Sequence, residues 1–393
     1  MRAVAEGRLE NTSSAFQTHI DRCLGCRACE QVCPAGVEYG QLLEASREVL
    51  LHAQPKSDFP NKLLRIALRK IWLSPTRLRL FFCASRLFRD LGLARLLLKS
   101  GLARRISPRA EFGLALLESS RPVFRTKRVA SQPQSTEHGV NVLLFKGCVG
   151  EGLFARVNRA TTRVLRANNF NVSVPKDQVC CGALHAHAGD LDGARELAKK
   201  NIEAFNSNAP IVTNAGGCGA MLATYGHLFA NDEKLAQPAA AFSARVLDVS
   251  QHLEISGMRA APSAVEDQVT YDTSCHLLYG QRTGEASERM LRTVAGQNFV
   301  ALNGTERCCG AAGVYNLLQP EMSERVLTEK LAHIKASNAA ILATGNPGCQ
   351  MHIGAGARLA NMELQVCHPI EIVDQAYERA GYYLPQKGTQ ETK

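Results

Sequence analysis

From about residue 140 onward the chain alternates short apolar, β-branched runs with longer stretches in which apolar positions recur every three or four residues. The runs are "NVLLFKGC", "FNVSVP", "APIVTNAGGC", "QVTYDTSC", "NFVALNG", "AAILATGNPGC" and, later, "ELQVCHP". Strands alternating with helix-length segments predict parallel sheets covered by helices. The N-terminal part has a different texture. "YGQLLEASREVLLHA" places Leu and Val on one face of a helix, and residues 51–120 read as further helices, with breaks at the prolines 55, 60, 75 and 108. The polar stretch "RTKRVASQPQSTEHG" reads as a linker between the two textures. The expected fold class is therefore mixed α/β: a helical N-terminal portion, then α/β units built on parallel sheets.

The α/β pattern occurs twice. "VCCGALHAHAGDLDGARELAKKNIEAF" with "IVTNAGGCGAM" matches "RCCGAAGVYNLLQPEMSERVLTEKLAHI" with "ILATGNPGCQMH". Cys148 corresponds to Cys275, Cys180 and Cys181 to Cys308 and Cys309, and Cys218 to Cys349. We read a duplication, and four regions: 1–50, a cysteine-bearing segment; 51–140, a basic helical region with the linker; 141–262, the first copy; and 263–393, the second. The cysteines of both copies fall just beyond the carboxyl ends of these runs, where open α/β sheets place their ligand sites.

Composition narrows the chemistry. With 393 residues, 45% of them hydrophobic, the chain can bury a sizeable core. Its 14 cysteines would suggest disulfides in a small secreted protein, but "MRAVAEGRLENTSSAF" has no apolar signal core, so the expectation is reduced thiols in the cytoplasm, available to metal. Arginines interrupt every apolar run before it reaches the length of a membrane span. The net charge of +10 is concentrated: residues 51–130 hold 18 Lys/Arg against 4 Asp/Glu. Aromatic residues are few near those cations and no nucleic-acid reader motif is present, so the sequence argues against a nucleic-acid partner.

"CLGCRACEQVCPAG" sets Cys23, Cys26, Cys29 and Cys33 in a C-x2-C-x2-C-x3-C-P run. Three thiolates in such a tight loop wrap one [4Fe-4S] cube, and in two-cluster ferredoxins the fourth ligates the neighbouring cluster. The competing assignment is structural zinc, whose ribbons normally split their ligands between two distant C-x2-C knuckles. In the duplicated region Cys148, Cys180, Cys181 and Cys218, and again Cys275, Cys308, Cys309 and Cys349, supply four soft donors per copy. Cys83 and Cys367 stand alone in apolar surroundings and are expected to be buried thiols. His276, beside Cys275, is placed to tune a cluster by a hydrogen bond. His185 and His187 have no counterpart in the second copy, which carries Gly313 and Tyr315 there.

The paired copies resemble the cysteine-rich CCG domain of heterodisulfide reductase B subunits, whose pattern C-x(31-39)-CC-x(35-36)-C-x2-C binds cluster iron. The intervals here are 31 and 36 residues in the first copy, 32 and 39 in the second, and Met221 and His352 stand where the last cysteine would be. His352 is therefore a candidate ligand. With the cysteine run ahead of both copies, and with "KGCV", "CCGALHAHAGD", "NAGGCGAM", "CCGAAGVYNL" and "NPGCQMHI", the chain as a whole resembles the iron-sulfur subunits of glycolate oxidase (glycolate dehydrogenase). Members of that family carry a second ferredoxin-type motif upstream of a stretch similar to "MRAVAEGRLE". The resemblance thus implies a partial ferredoxin-type segment over 1–50 and a labile cluster at Cys23, Cys26 and Cys29.

No G-x-G-x-x-G fingerprint for flavin or nicotinamide occurs, so hydride chemistry has to reside elsewhere. The resemblance implies FAD-binding partner subunits that oxidise glycolate to glyoxylate. This chain, not catalytic towards glycolate alone, would pass electrons to a quinone-type acceptor at the inner face of the inner membrane. Lactate or glycerol-3-phosphate dehydrogenases, a heterodisulfide reductase-like complex and a zinc-holding scaffold are the alternatives. The basic, Leu- and Phe-rich segment 51–130 suits a helix lying on an anionic membrane and equally a partner-facing bundle.

Overall fold

The computed structural model describes residues 1–53, 55–56, 58–124, 139–261 and 265–383. Two four-stranded parallel sheets form its frame. The first contains β1 (Val140–Phe145), β2 (Phe170–Ser173), β3 (Ile211–Thr213) and β4 (Val246–Asp248) in the order β2-β1-β3-β4. The second contains β5 (Val269–Tyr271), β6 (Phe299–Val300), β7 (Ile341–Ala343) and β8 (Gln365–Cys367) in the order β6-β5-β7-β8. The orders are identical once each strand of the second copy is matched to its counterpart, so the duplication seen in the cysteines holds at the level of topology. Parallel neighbours require crossovers. The helices Cys148–Ala167 and Gly284–Ala295 lie between the first two strands of each copy.

The apolar runs become strands because they are buried on both faces: Ile211–Thr213, Val269–Tyr271 and Ile341–Ala343 are buried at every position. The sequence reading differs in two places. β4 was absent from it: "VLD" is three residues between two helices, and only pairing with β3 makes it a strand. "NFVALNG" contributes only Phe299–Val300. The proposed linker 125–139, all but its last residue, and the boundary at 262–263 lie outside the described residues.

The sheets share one core. Val142 and Val212 of the first, Val269, Tyr271 and Ile341 of the second, and the helix Pro369–Arg379 belong to a single buried cluster. Two ion pairs tie that helix to Cys148–Ala167: Arg156 Nε donates to Glu371 Oε1 at 2.8 Å, both buried, and the partly buried Arg163 Nε to Asp374 Oδ1 at 2.8 Å. The basic region is threaded into this core instead of standing apart. Its helix Pro75–Asp90 inserts Leu78 and Phe82, and its helix Pro108–Glu118 packs on Pro347–Leu359 of the second copy. The prolines 60, 75 and 108 sit in the first turns of helices, where a missing N–H costs nothing. Turning Leu78 and Phe82 inward leaves Cys83 outward, so Cys83 is exposed, against expectation; Cys367 is fully buried as expected. No helix among the described residues is long and apolar enough to cross a membrane.

The N-terminal segment has a small core of its own, Phe16, Ile20, Leu43 and Leu50, formed between the helices Ser14–Arg22 and Tyr39–Ala53. It docks at the seam of the two copies. Arg47 donates to the carbonyls of Cys23 (2.7 Å) and of His187 in the first copy (3.0 Å), while Tyr315 of the second donates to Arg22 O at 2.9 Å.

Candidate metal centres

Three sets of thiols result from this frame. In the first, the chain leaves Ser14–Arg22 at Cys23 and winds through two left-handed positions, Gly25 (φ +66°) and Arg27 (φ +65°), into the short helix Ala28–Gln31 that carries Cys29. The turn aims Gly25 N–H at Cys23 Sγ, 3.4 Å away. Arg27 is held by Glu30, whose Oε1 also accepts from Gly40 N at 2.7 Å. Burial, and after it the thiols of Cys308, Cys23 and Cys29, push the Cys26 thiol up; Cys29 is raised by burial and by Cys23. Cys33 lies apart in character: the N–H groups of Val37 and Ala35 point at it and hold its thiol low.

The second and third sets lie at the carboxyl ends of the strands, at equivalent places in the two copies. Gly147, at φ +68°, turns the chain from β1 so that Cys148 opens a helix; Cys180 and Cys181 follow β2, and Cys218 sits in the helix Gly216–Ala223 after β3. Cys180 and Cys148 sulfurs are 3.4 Å apart. Their mutual hydrogen bond and burial raise Cys148, and Cys181 is raised where Cys218 and burial outweigh Cys180. The Trp72 indole N–H is buried without a close hydrogen-bond partner, and its nearness to the Cys148 sulfur draws that thiol's pKa back down. In the second copy Cys309 and Cys349 sulfurs are 3.2 Å apart, Gly310 N–H donates to Cys308 Sγ at 3.4 Å, and Asn346 Nδ2 to Cys349 Sγ at 3.5 Å. Cys275 and Cys309 are raised, chiefly by hydrogen bonding to Cys308, which is itself lowered by those same contacts.

Every one of the 14 cysteines is free, and the mutual thiol contacts give these sets a shared proton inventory that a soft cation would displace. Backbone N–H groups aimed at sulfur add the donors that bound thiolates need. All-sulfur donor sets with N–H···S support fit iron-sulfur clusters. Among the described residues no three His, Cys, Asp or Glu side chains are gathered as the ligands of one metal ion would be.

The histidines divide. His276 Nδ1 is 3.6 Å from Cys275 Sγ, and burial, then His187, lowers its pKa to about 4, so it faces the thiol as a neutral ring. His352 is buried and neutral too, lowered to about 4, but its nitrogens meet Asn316 Nδ2 (3.2 Å) and Ser323 Oγ (3.3 Å). It packs behind Gly310 instead of offering a free lone pair. His185 is committed to Asp190 at 2.8 Å. Met221 is buried. The sequence analysis missed Trp72 and Asn346; Trp72 is 76 residues from the thiol it serves, and nothing local marks it.

The three sets are not isolated. The helix Ala28–Gln31 packs on the turn His276–Gly280 after Cys275, Cys26 is raised in part by Cys308, and Cys275 in part by Cys26. The loops after β3 and β7 touch directly: Gly216 N–H donates to Gly345 O at 2.9 Å, and Gly217 N–H to Asn346 Oδ1 at 3.2 Å.

Residues 142–223 and 269–354 each match the family described as a cysteine-rich domain, CCG. The chain is 34% identical to the probable glycolate oxidase iron-sulfur subunit of Bacillus subtilis (strain 168), over 97% of this chain and 87% of that protein. It is 29% identical to the glycolate oxidase iron-sulfur subunit of Escherichia coli (strain K12), over 92% and 83%. Lactate utilization protein A of Oceanobacillus iheyensis is 32% identical over 60% of this chain and 97% of its own length. Full-length similarity, two matched cysteine-rich copies and the geometry of their thiols agree: the chain belongs to the family of glycolate oxidase iron-sulfur subunits.

Proposed function

We propose that this chain is the electron-transfer subunit of an FAD-dependent glycolate dehydrogenase. Oxidation of glycolate to glyoxylate on a flavin-bearing partner releases two electrons and two protons. The electrons enter this chain singly and leave to a quinone-type acceptor. Iron-sulfur clusters, when bound, supply the one-electron carriers. Cys23, Cys26 and Cys29 would hold a [4Fe-4S] cube, with Cys33 reaching towards a neighbouring one. Cys148, Cys180, Cys181 and Cys218 would hold a second centre, and Cys275, Cys308, Cys309 and Cys349 a third, with His352 packed behind it. The observation that supports the reading is the packing of the helix Ala28–Gln31, which carries Cys29, on the turn His276–Gly280 after Cys275, beside the second copy's thiols. A relay needs such neighbours; a structural scaffold does not.

The chain's own residues keep the relay dry and ordered. Arg47 clamps the Cys23 carbonyl to the first copy, and the neutral His276 ring lies between Cys275 and His187, 5.5 Å from the latter ring. The basic helices 59–106 expose Phe59, Leu63, Ile66, Leu87 and Leu96 beside their arginines, which supports a peripheral position on the cytoplasmic face of the inner membrane. Lactate is the second substrate reading, favoured by the similarity to lactate utilization protein A.

Anaerobic purification, with iron, sulfide and zinc analysis and low-temperature EPR, tests the centres: iron with matching sulfide is expected, and zinc alone would defeat the relay. Co-purified complex assayed by dye reduction should respond to glycolate above lactate and glycerol 3-phosphate. The isolated chain should reduce no dye with any of them.

A further inference from the structure

The duplicated sockets are alike, but what lies beside them is not. In the second copy the short helix Ala28–Gln31, which directly follows Cys26 and Arg27, packs on the turn His276–Gly280 just after Cys275, and Cys275 is buried. In the first copy Cys148 and Cys180 instead form part of the wall of an open cavity of about 890 Å³. Its other walls are the helix Pro75–Asp90 and the loop after β2. That volume lies within the roughly 300–1,000 Å³ of small-molecule sites.

The lining has a definite chemistry. Trp72, Leu78 and Phe82 give an aromatic and aliphatic floor, with the two rings 6.1 Å apart. Arg79, Arg86, Lys146 and Lys176 supply cations against the two carboxylates of Glu151 and Asp177, and Lys146 is already paired with Glu151 at 3.1 Å. Leu80, 66% exposed, stands on the lining helix with Cys83 and continues the apolar surface outward. Such a place suits a flat apolar ring bearing oxygen acceptors, delivered from an apolar phase, whose oxygens carry negative charge after the first electron and before protonation.

We infer that this cavity is the acceptor site: a quinone ring rests against Trp72 and Phe82 beside Cys148 and Cys180, its oxygens facing the arginines. The inference rests on the electron-transfer reading above and gives the relay a direction, in through the N-terminal segment and the second copy, out through the first. Each quinone takes two electrons, delivered one at a time from cysteine-held iron, and two protons from water at the open mouth, and leaves as quinol. The electrons are those released by the partner's oxidation of the 2-hydroxy acid.

Trp72 is the single tryptophan of the chain, so its fluorescence reports on this cavity alone. The full chain, purified anaerobically with its iron, is titrated with 2,3,5,6-tetramethyl-1,4-benzoquinone, whose fully substituted ring has no free position for thiol addition, following Trp72 emission and, independently, calorimetric heat. Saturable quenching with one-site heat is expected. Cys83→Phe, at an exposed position that fills the mouth, should weaken binding at least tenfold, and Arg79→Ala should weaken it several-fold. Leu102→Ser, on another helix, should leave it unchanged. Quenching that rises linearly without heat, or a Cys83→Phe chain that binds as the parent does, overturns the assignment. If iron and sulfide are present and dithionite bleaches the protein but no saturable binding occurs, the cavity alone is wrong; if iron is absent, the relay itself fails.

Discussion

Gly310 shows how narrowly the thiol sets are built. Its φ of +91° belongs to glycine, and a Cβ there would come 2.8 Å from the carbonyl oxygen of Ser323. Gly310→Ala should therefore cost about 1–3 kcal/mol and displace the N–H that serves Cys308. Urea unfolding should show that loss, and iron per chain should fall while the EPR signal of the N-terminal set survives. Asp248 offers a titration. Its carboxyl caps the helix Val249–Ser256 through Ser250 N–H at 2.9 Å, and burial pushes it up to about 6, partly offset by that N–H. Because the folded value lies above the unfolded one of about 3.9, the stability it lends is present in full below about pH 4 and lost as pH rises through 6. The metal-free, reduced parent should gain about 1 kcal/mol from this group between pH 8 and pH 5. Asp248→Asn, which keeps a capping oxygen, should lack that gain. Equal urea midpoint shifts for the two proteins would refute the assignment. The cysteines themselves were legible in the sequence because thiol spacing is local information. The outward turn of Cys83 was not, since a run such as "RLRLFFCASRLF" has apolar residues at too many phases to reveal which side of the helix meets the core.

At the scale of elements, the strands that announced themselves were the ones buried on both faces, such as Ile341–Ala343 between its neighbours. Val246–Asp248 stayed silent because its strand character comes from partners 35 residues away in β3. The integration of the basic helices was equally hidden: nothing in their arginine-rich sequence shows that Phe82 and Leu78 enter the same core as both sheets. The helices Cys148–Ala167 and Pro369–Arg379 carry the consequence. Arg156 and Glu371 are both buried, and Arg156 Nη1 also donates to Ser120 O at 2.8 Å. Arg156→Met strands a carboxylate and should cost about 3–5 kcal/mol. Since the pair joins the copies, the urea transition should move as one step. Two separate transitions, with only one displaced, would show the copies to be independent units.

At the scale of the whole molecule, charge and apolar exposure coincide on one segment. If the helices 59–106 rest on lipid, vesicles with about 30% anionic lipid should float the protein, neutral vesicles should not, and raised salt should release it within the range where the Debye length falls below about 10 Å. Ile66→Glu, at a position 58% exposed, should weaken flotation without lowering urea stability. Equal flotation by neutral vesicles would leave the arginines a partner-facing role. The twofold likeness of the copies makes a last point. A pair of matching receptacles, left alone, has no preferred end, and current could pass through it either way. In this chain the N-terminal segment packs beside one receptacle, and the other borders an open cavity. On the acceptor site proposed above, polarity would lie in what surrounds the two receptacles and not in their sulfurs, and a graft that moved the N-terminal segment to the opposite receptacle would be expected to reverse the traffic.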